Sequence, residues 1–188
     1  MEIKYHGKTL SETDALQLYN PYVKLGDGCS FFKYNMKKTE ISLCMNWHYF
    51  ASDAVSKKYK TVMMWESDVL FNDDFMENLE KAMNLLPESW DFLSLSAGAC
   101  LIPERDQTQE RTLGWFPSLH NTIHTRTTDA MIFRVEMLKK ITEGDFFPIG
   151  DVLDWELNYQ LSQHNSKTLW LDPPIIRQGS GTVYETSL

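Results

Sequence analysis

Two sets of carboxylates in this chain could do chemistry. The first is Glu66-Ser67-Asp68, directly after the apolar run Thr61-Val62-Met63-Met64-Trp65. If the chain stays extended there, alternation sends Glu66 and Asp68 to one side and Ser67 to the other. Two carboxylates at the mouth of a sheet make a hard-oxygen site. Mg²⁺ or Mn²⁺ prefers such ligands and completes its shell with phosphate oxygens and water. An ion held there could neutralise a pyrophosphate leaving group. The plain alternative is a strand-to-loop turn, where acidic residues are common. The second set is Asp151, Asp154 and Glu156. Asp151 could be a helix N-cap. Asp154 is three residues on, on nearly the same helical face, and Glu156 points elsewhere. A carboxylate at a helix start facing a cleft could deprotonate a hydroxyl nucleophile. A solvated surface is the plain alternative for Asp154 and Glu156.

Other candidates are weaker. His120 and His124 are four apart in a polar stretch that does not advertise a helix. Arg126 and Arg177 could meet phosphate, but surface ion pairs are the favoured role for them. Gly26-Asp27-Gly28 lacks a third glycine and a preceding strand, so it is no dinucleotide fingerprint. Cys29, Cys44 and Cys100 show no zinc spacing and read as reduced thiols. Trp115 or Trp155 could stack on a sugar ring, with core packing as the alternative.

The elements that must position these groups follow from periodicity. Ser11 to Leu18 has the look of a short helix, and Asn20-Pro21 marks a turn. Thr39 is a plausible cap for a helix running to Lys58, with Ile41, Met45, Ala51 and Val55 at near-helical spacing. Residues 61–65 read as a strand buried on both faces. A helix runs from Asn72 to about Leu86, with Phe75, Leu79, Ala82 and Met83 on one face. Strands are expected at 90–96, 130–133 and 167–171, and helices at 135–142 and 151–161. Residues 97–124 read as a long polar loop, the kind that is usually functional. Pro173 to Ile176 reads as an extended edge segment and 179–181 as the start of a tail. Alternating strands and helices predict an α/β domain with a mixed, mostly parallel sheet. Ligands of such sheets bind beyond the carboxyl ends of the strands.

Composition narrows the classes. With 188 residues, 43% hydrophobic and 23% charged, the chain reads as one soluble globular domain. The core of that domain is 39–180, after an irregular 1–38 and before a tail at 181–188. It could be a piece of a longer polypeptide. Eighteen basic against 26 acidic residues give a net charge of −8, which argues against nucleic acid as a partner. No apolar run approaches the ~18 residues of a membrane span. Met1 to His6 lacks the apolar core of a secretory signal, so a cytoplasmic location is expected.

Four stretches, taken in order, resemble glycosyltransferase family 25, the lipooligosaccharide-type transferases with the collagen galactosyltransferases among their relatives. Thr39-Glu40-Ile41-Ser42-Leu43-Cys44-Met45-Asn46-Trp47 resembles that family's GEIGCALSH helix. Val62 to Val69 resembles its ILEDDV, the DxD-type metal motif. Trp90-Asp91-Phe92-Leu93-Ser94-Leu95 is similar to its DxxxL strand. Pro148-Ile149-Gly150-Asp151, with Pro174-Ile175-Ile176-Arg177-Gln178, follows the family's closing order.

The resemblance implies a GT-A fold, a Rossmann-like sheet binding a nucleotide sugar, with a UDP-sugar favoured over a GDP-sugar. It puts Glu66, Ser67 and Asp68 at the donor and its Mn²⁺ or Mg²⁺, the metal falling first to Asp68 and then Glu66. It implies transfer to a glycan hydroxyl with inversion. Asp151 matches the family's late aspartate. Leu153-Asp154-Trp155-Glu156-Leu157 is also similar to the EDxEL element of other GT-A enzymes, which favours Asp154 as base, with Asp151 the other candidate. The chain departs from the family in three places. Ser67 stands where the motif has Asp, Asn46-Trp47 replace Ser-His, and the opening strand is shortened. The departures motivate a rival, a carbohydrate- or nucleotide-binding module of the same fold without turnover. A two-carboxylate glycoside hydrolase, indifferent to nucleotide and metal, is a second rival.

Overall fold

A computed structural model describes residues 3–5, 8–10, 36–96, 114–117 and 127–179. The expected helix at 11–18, the turn residues near 20–28, His120, His124, Arg126, Cys29 and Cys100 lie outside the described residues. The chain forms β1 (Ile3–Tyr5), β2 (Lys8–Leu10), α1 (Lys38–Ser56), β3 (Thr61–Trp65), β4 (Val69–Phe71) and α2 (Phe75–Asn84). Then come β5 (Phe92–Ser94), β6 (Gly114–Pro117), β7 (Ala130–Arg134), α3 (Val135–Glu143), α4 (Leu153–Gln163), β8 (Thr168–Asp172) and β9 (Ile176–Gln178). No helix among the described residues is long and apolar enough to cross a membrane.

The architecture is α/β around a mixed five-stranded sheet, ordered β3-β7-β5-β8-β6. The expectation of a mostly parallel sheet is corrected, because only β5 and β8 pair in parallel. β7 enters antiparallel between β3 and β5, and β6 pairs antiparallel with β8. The apolar run at 130–134 arises because β7 is covered on both faces. Such burial gives the same run whatever the strand's direction. β3 is also corrected. It is a sheet edge, with Thr61 and Trp65 exposed and the three residues between half-buried. An edge strand can be apolar throughout without being covered.

The two sheet faces bury different layers. Phe92, Met131 and Phe133 face α1, α3 and α4 through Met45, Trp47, Leu138, Ile141 and Leu157. Phe133 meets Phe92 at 4.9 Å and Trp47 at 5.7 Å, both edge-on. Edge-to-face contact suits the quadrupoles of the rings. Leu93, Leu95, Ile132, Leu169 and Leu171 face the other way, onto α2 and the small sheet β4–β9. α2 offers Phe75, Leu79, Ala82 and Met83 to that face, as its spacing predicts.

Three expectations shift at the element ends. α1 starts after Lys37, not at a Thr39 cap, and the Lys37 N–H donates to Glu40 Oε2 at 2.6 Å. Pro173 to Ile176 does not extend the main sheet; β9 pairs with β4 in a separate ribbon. Within the stretch expected to be loop, β6 takes the outer edge of the main sheet, a place that tolerates Pro117.

Candidate functional site

β3, β5 and β8 run the same way, and β7 runs against them. The carboxyl ends of three strands and the amino end of β7 therefore share one border. The Glu66 N–H donates to the Asp129 carbonyl at 2.8 Å, carrying the β3–β7 ladder one step past Trp65. Continuing the other ladders places Glu66, Asp129, Ser96 and Asp172 at one level on four adjacent strands. By the pleat they share the face that looks toward α1 and α4. Asp129, Ser96 and Asp172 are all buried.

Glu66-Ser67-Asp68 is not extended, which corrects the alternation argument. The Val69 N–H donates to the Glu66 carbonyl at 3.2 Å, closing a β-turn that leads into β4. The two carboxylates still act on each other, because the Asp68 charge helps to raise the Glu66 carboxyl. Burial is the main cause of that rise. Asp129, Asp68 and Asp154 add to it in that order, and a hydrogen bond from Thr128 opposes it. The Asp68 carbonyl accepts the Gly179 N–H at 2.6 Å, so the end of β9 pins the turn. A Cβ on residue 179 would lie 2.7 Å from that carbonyl oxygen, so glycine is required by close approach.

The second set assembles on the other side. α4 begins at Leu153 with Val152 as N-cap, so Asp151 is not the cap. The Asp151 Oδ1 instead accepts the Val152 N–H at 2.8 Å. Asp154 sits in the first turn, and its Oδ1 accepts the Trp155 N–H at 3.0 Å. Burial raises the carboxyls of both, with Glu40 on α1 adding to each and Asp151 adding to Asp154. Asp154 is also among the charges that raise the Glu66 carboxyl, as the smallest of them, so its charge reaches the turn after β3.

Glu156 is different. It is 1% exposed, which overturns the solvated-surface alternative for that residue. Its carboxylate accepts the Gly150 N–H at 3.1 Å and the Gln160 side-chain N–H at 2.9 Å. Gln160 also donates to the Asp145 carbonyl at 3.0 Å. Glu156 thus holds the loop that carries Asp151. Beneath the site the Cys44 thiol lies 3.7 Å from the Asp151 carbonyl. Burial, then Glu156, Asp154 and Asp151, push that thiol far up, so it stays protonated and inert. Trp155 is 45% exposed beside Asp154, free of the core that was its alternative. Arg177 lies on β9 opposite Leu70 and is exposed.

Sequence reasoning missed Glu40, Thr128 and Asp129. Thr127-Thr128-Asp129 does precede an apolar run. Only the antiparallel direction of β7, which periodicity does not encode, brings that N-terminal end to the carboxyl border. Glu40 was visible only as part of a helix opening.

The donor set suits a hard divalent cation, since every charge found to act on Glu66, Asp151 and Asp154 is a carboxylate. Among the described residues no three Asp, Glu, His or Cys side chains converge as a self-sufficient metal site. The fit is to an ion held by one or two carboxylates and completed by phosphate and water, which is common for Mg²⁺. Compared with known proteins, the chain matches no family's sequence profile and no characterised sequence is significantly similar to it.

Proposed function

We propose that the chain is a metal-dependent glycosyltransferase of GT-A type, moving a sugar from a nucleotide-diphosphate donor to a glycan hydroxyl. The reading is supported by the seat of Glu66 at the carboxyl border of the sheet, within reach of the Asp154 charge at the start of α4. That border is where α/β sheets hold ligands. Asp68 and Glu66 would hold Mn²⁺ or Mg²⁺, whose charge would offset that of a diphosphate leaving group.

The remaining work falls to the chain's own side chains. Asp154 or Asp151 accepts the proton of the acceptor hydroxyl. Burial raises both carboxyls, which brings them nearer the operating pH and strengthens them as bases. Asp154 is the better choice, since its charge also reaches Glu66. Trp155, exposed at its side, offers a face for the acceptor sugar. Glu156 keeps the Asp151 loop in position. Proton removal from the acceptor on the face opposite the leaving group accords with inversion.

Release of nucleoside diphosphate from a panel of UDP- and GDP-sugars, with glycan acceptors, tests this reading. It predicts Mn²⁺-dependent release that a chelator abolishes and that Asp154→Asn or Asp151→Asn lowers by about 10²-fold or more, the usual worth of a general base. Chelator-resistant cleavage of a glycan without nucleotide would favour a hydrolase. Nucleotide binding without any turnover would favour the non-catalytic module.

A further inference from the structure

Asp129 has no part in the reading above, yet it is a buried carboxylate next to Glu66 on the sheet. It is 2% exposed, and its Oδ2 has no hydrogen-bond partner among the described residues. A buried carboxylate oxygen without a donor is costly to keep, and such groups are ordinarily paired or bound to a cation. The β3–β7 ladder seats Asp129 directly beside Glu66, on the same face of the sheet. The neighbouring Thr128 hydroxyl donates to Glu66 Oε1, turning that carboxylate toward the start of β7.

We propose that Asp129 and Glu66 together bind a divalent cation, with Asp129 a ligand supplied by the antiparallel strand rather than by the Glu66-Ser67-Asp68 turn. The unpartnered oxygen and its seat beside Glu66 carry the inference. It deepens the transferase reading and rests on it for the phosphate that would complete the ion's shell. Strand geometry explains why a tripeptide with Ser67 in its middle could still serve a metal. The carboxylate absent at position 67 has a counterpart one strand away.

The test uses the full chain and millimolar Mn²⁺ alone, without nucleotide. Free Mn²⁺ is followed by its electron paramagnetic resonance signal. Saturable uptake is expected, weakened by about tenfold or more in Asp129→Asn and in Glu66→Gln. Metal-free Asp129→Asn is also expected to unfold at a higher temperature than the wild type, because a buried carboxylate oxygen without a donor has gone. A purely structural aspartate would give the opposite shift. Should the variant fail to fold, substoichiometric Mn²⁺ added to the labelled wild type answers the same question. The amide signals of Asp129 and Glu66 should broaden among the first. Undiminished uptake in Asp129→Asn, no uptake by the wild type, or first broadening away from Asp129 would each overturn the proposal. Mn²⁺ uptake that depends on Asp129, in a chain that binds no nucleotide, would leave this site standing and remove the transferase reading. Nucleotide binding with Mn²⁺ uptake indifferent to Asp129 would do the reverse.

Discussion

Thr128 Oγ1 donates to Glu66 Oε1 at 2.5 Å, joining the entry of β7 to the acidic turn that follows β3. The two residues are far apart in sequence and meet only because β7 runs antiparallel to β3. A hydroxyl donor stabilises the ionised carboxylate, and it is the one influence that opposes burial and the neighbouring charges at Glu66. Thr128→Val keeps the shape and removes the donor. The Glu66 carboxyl should then titrate higher than in the wild type, and stability at neutral pH should fall by about 1.5 kcal/mol. Carbon-13 titration of the glutamate carboxyls checks the first, and urea unfolding the second. An unmoved Glu66 titration would show that the contact is absent in solution.

Glu66, Asp151 and Asp154 all have carboxyls raised on folding, chiefly by burial. In such a group the folded state holds its proton more tightly than the unfolded chain. The penalty is absent below the unfolded values, near 4.5 for Glu and 3.8 for Asp, and complete above the folded ones. Across that window these groups make stability fall as pH rises. Thermal midpoints without divalent cation should therefore decline from mildly acidic toward neutral pH. The decline should flatten in Asp154→Asn, and Mn²⁺ should recover stability at neutral pH but not at acidic pH. A midpoint that rises through the window, with or without Asp154, would contradict this electrostatic account.

Gly179 closes the ribbon that pins Asp68. Its N–H reaches the Asp68 carbonyl at 2.6 Å, where a Cβ would lie 2.7 Å from the same oxygen. The Leu70 side chain, 3.2 Å from that Cβ, can move aside, but the Asp68 carbonyl is backbone and cannot without shifting the turn. Gly179→Ala should cost about 1–3 kcal/mol, as overpacking usually does. It should also weaken Mn²⁺-dependent nucleotide binding by moving the turn. Parallel unfolding and binding measurements separate the two effects. A variant as stable as the wild type would mean that β9 does not hold the turn this closely.

The sequence was most legible where burial writes a period. The α2 face at Phe75, Leu79, Ala82 and Met83 stands as spacing predicted, and the strands at 92–94, 130–134 and 168–172 lie within a few residues of expectation. Strand direction was not legible. Val62 to Trp65 and Ala130 to Phe133 are similar apolar runs, yet one is an edge and the other central. Pairing direction depends on chain reversals rather than on side-chain type. That ambiguity hid Asp129, whose significance depends on which end of β7 it occupies. The geometry of the acidic candidates differs from expectation because 66–68 is a turn rather than a strand end, and Glu156 proved to be a buried clamp rather than a surface charge. Buried glutamates are rare enough that composition argues against them; only the bonds to Gly150 and Gln160 explain this one.

The most direct test of the central claim is thermal unfolding of the chain with UDP and GDP, each with and without Mn²⁺. A ligand that binds only the native state adds RT ln(1 + [L]/Kd), about 2.7 kcal/mol at a hundredfold excess over Kd. The account predicts a rise in midpoint with one of these nucleotides that requires Mn²⁺ and disappears in Asp68→Ala. No rise with either nucleotide, with or without the metal, would contradict it and shift the carboxylate site to a carbohydrate-binding or hydrolytic role.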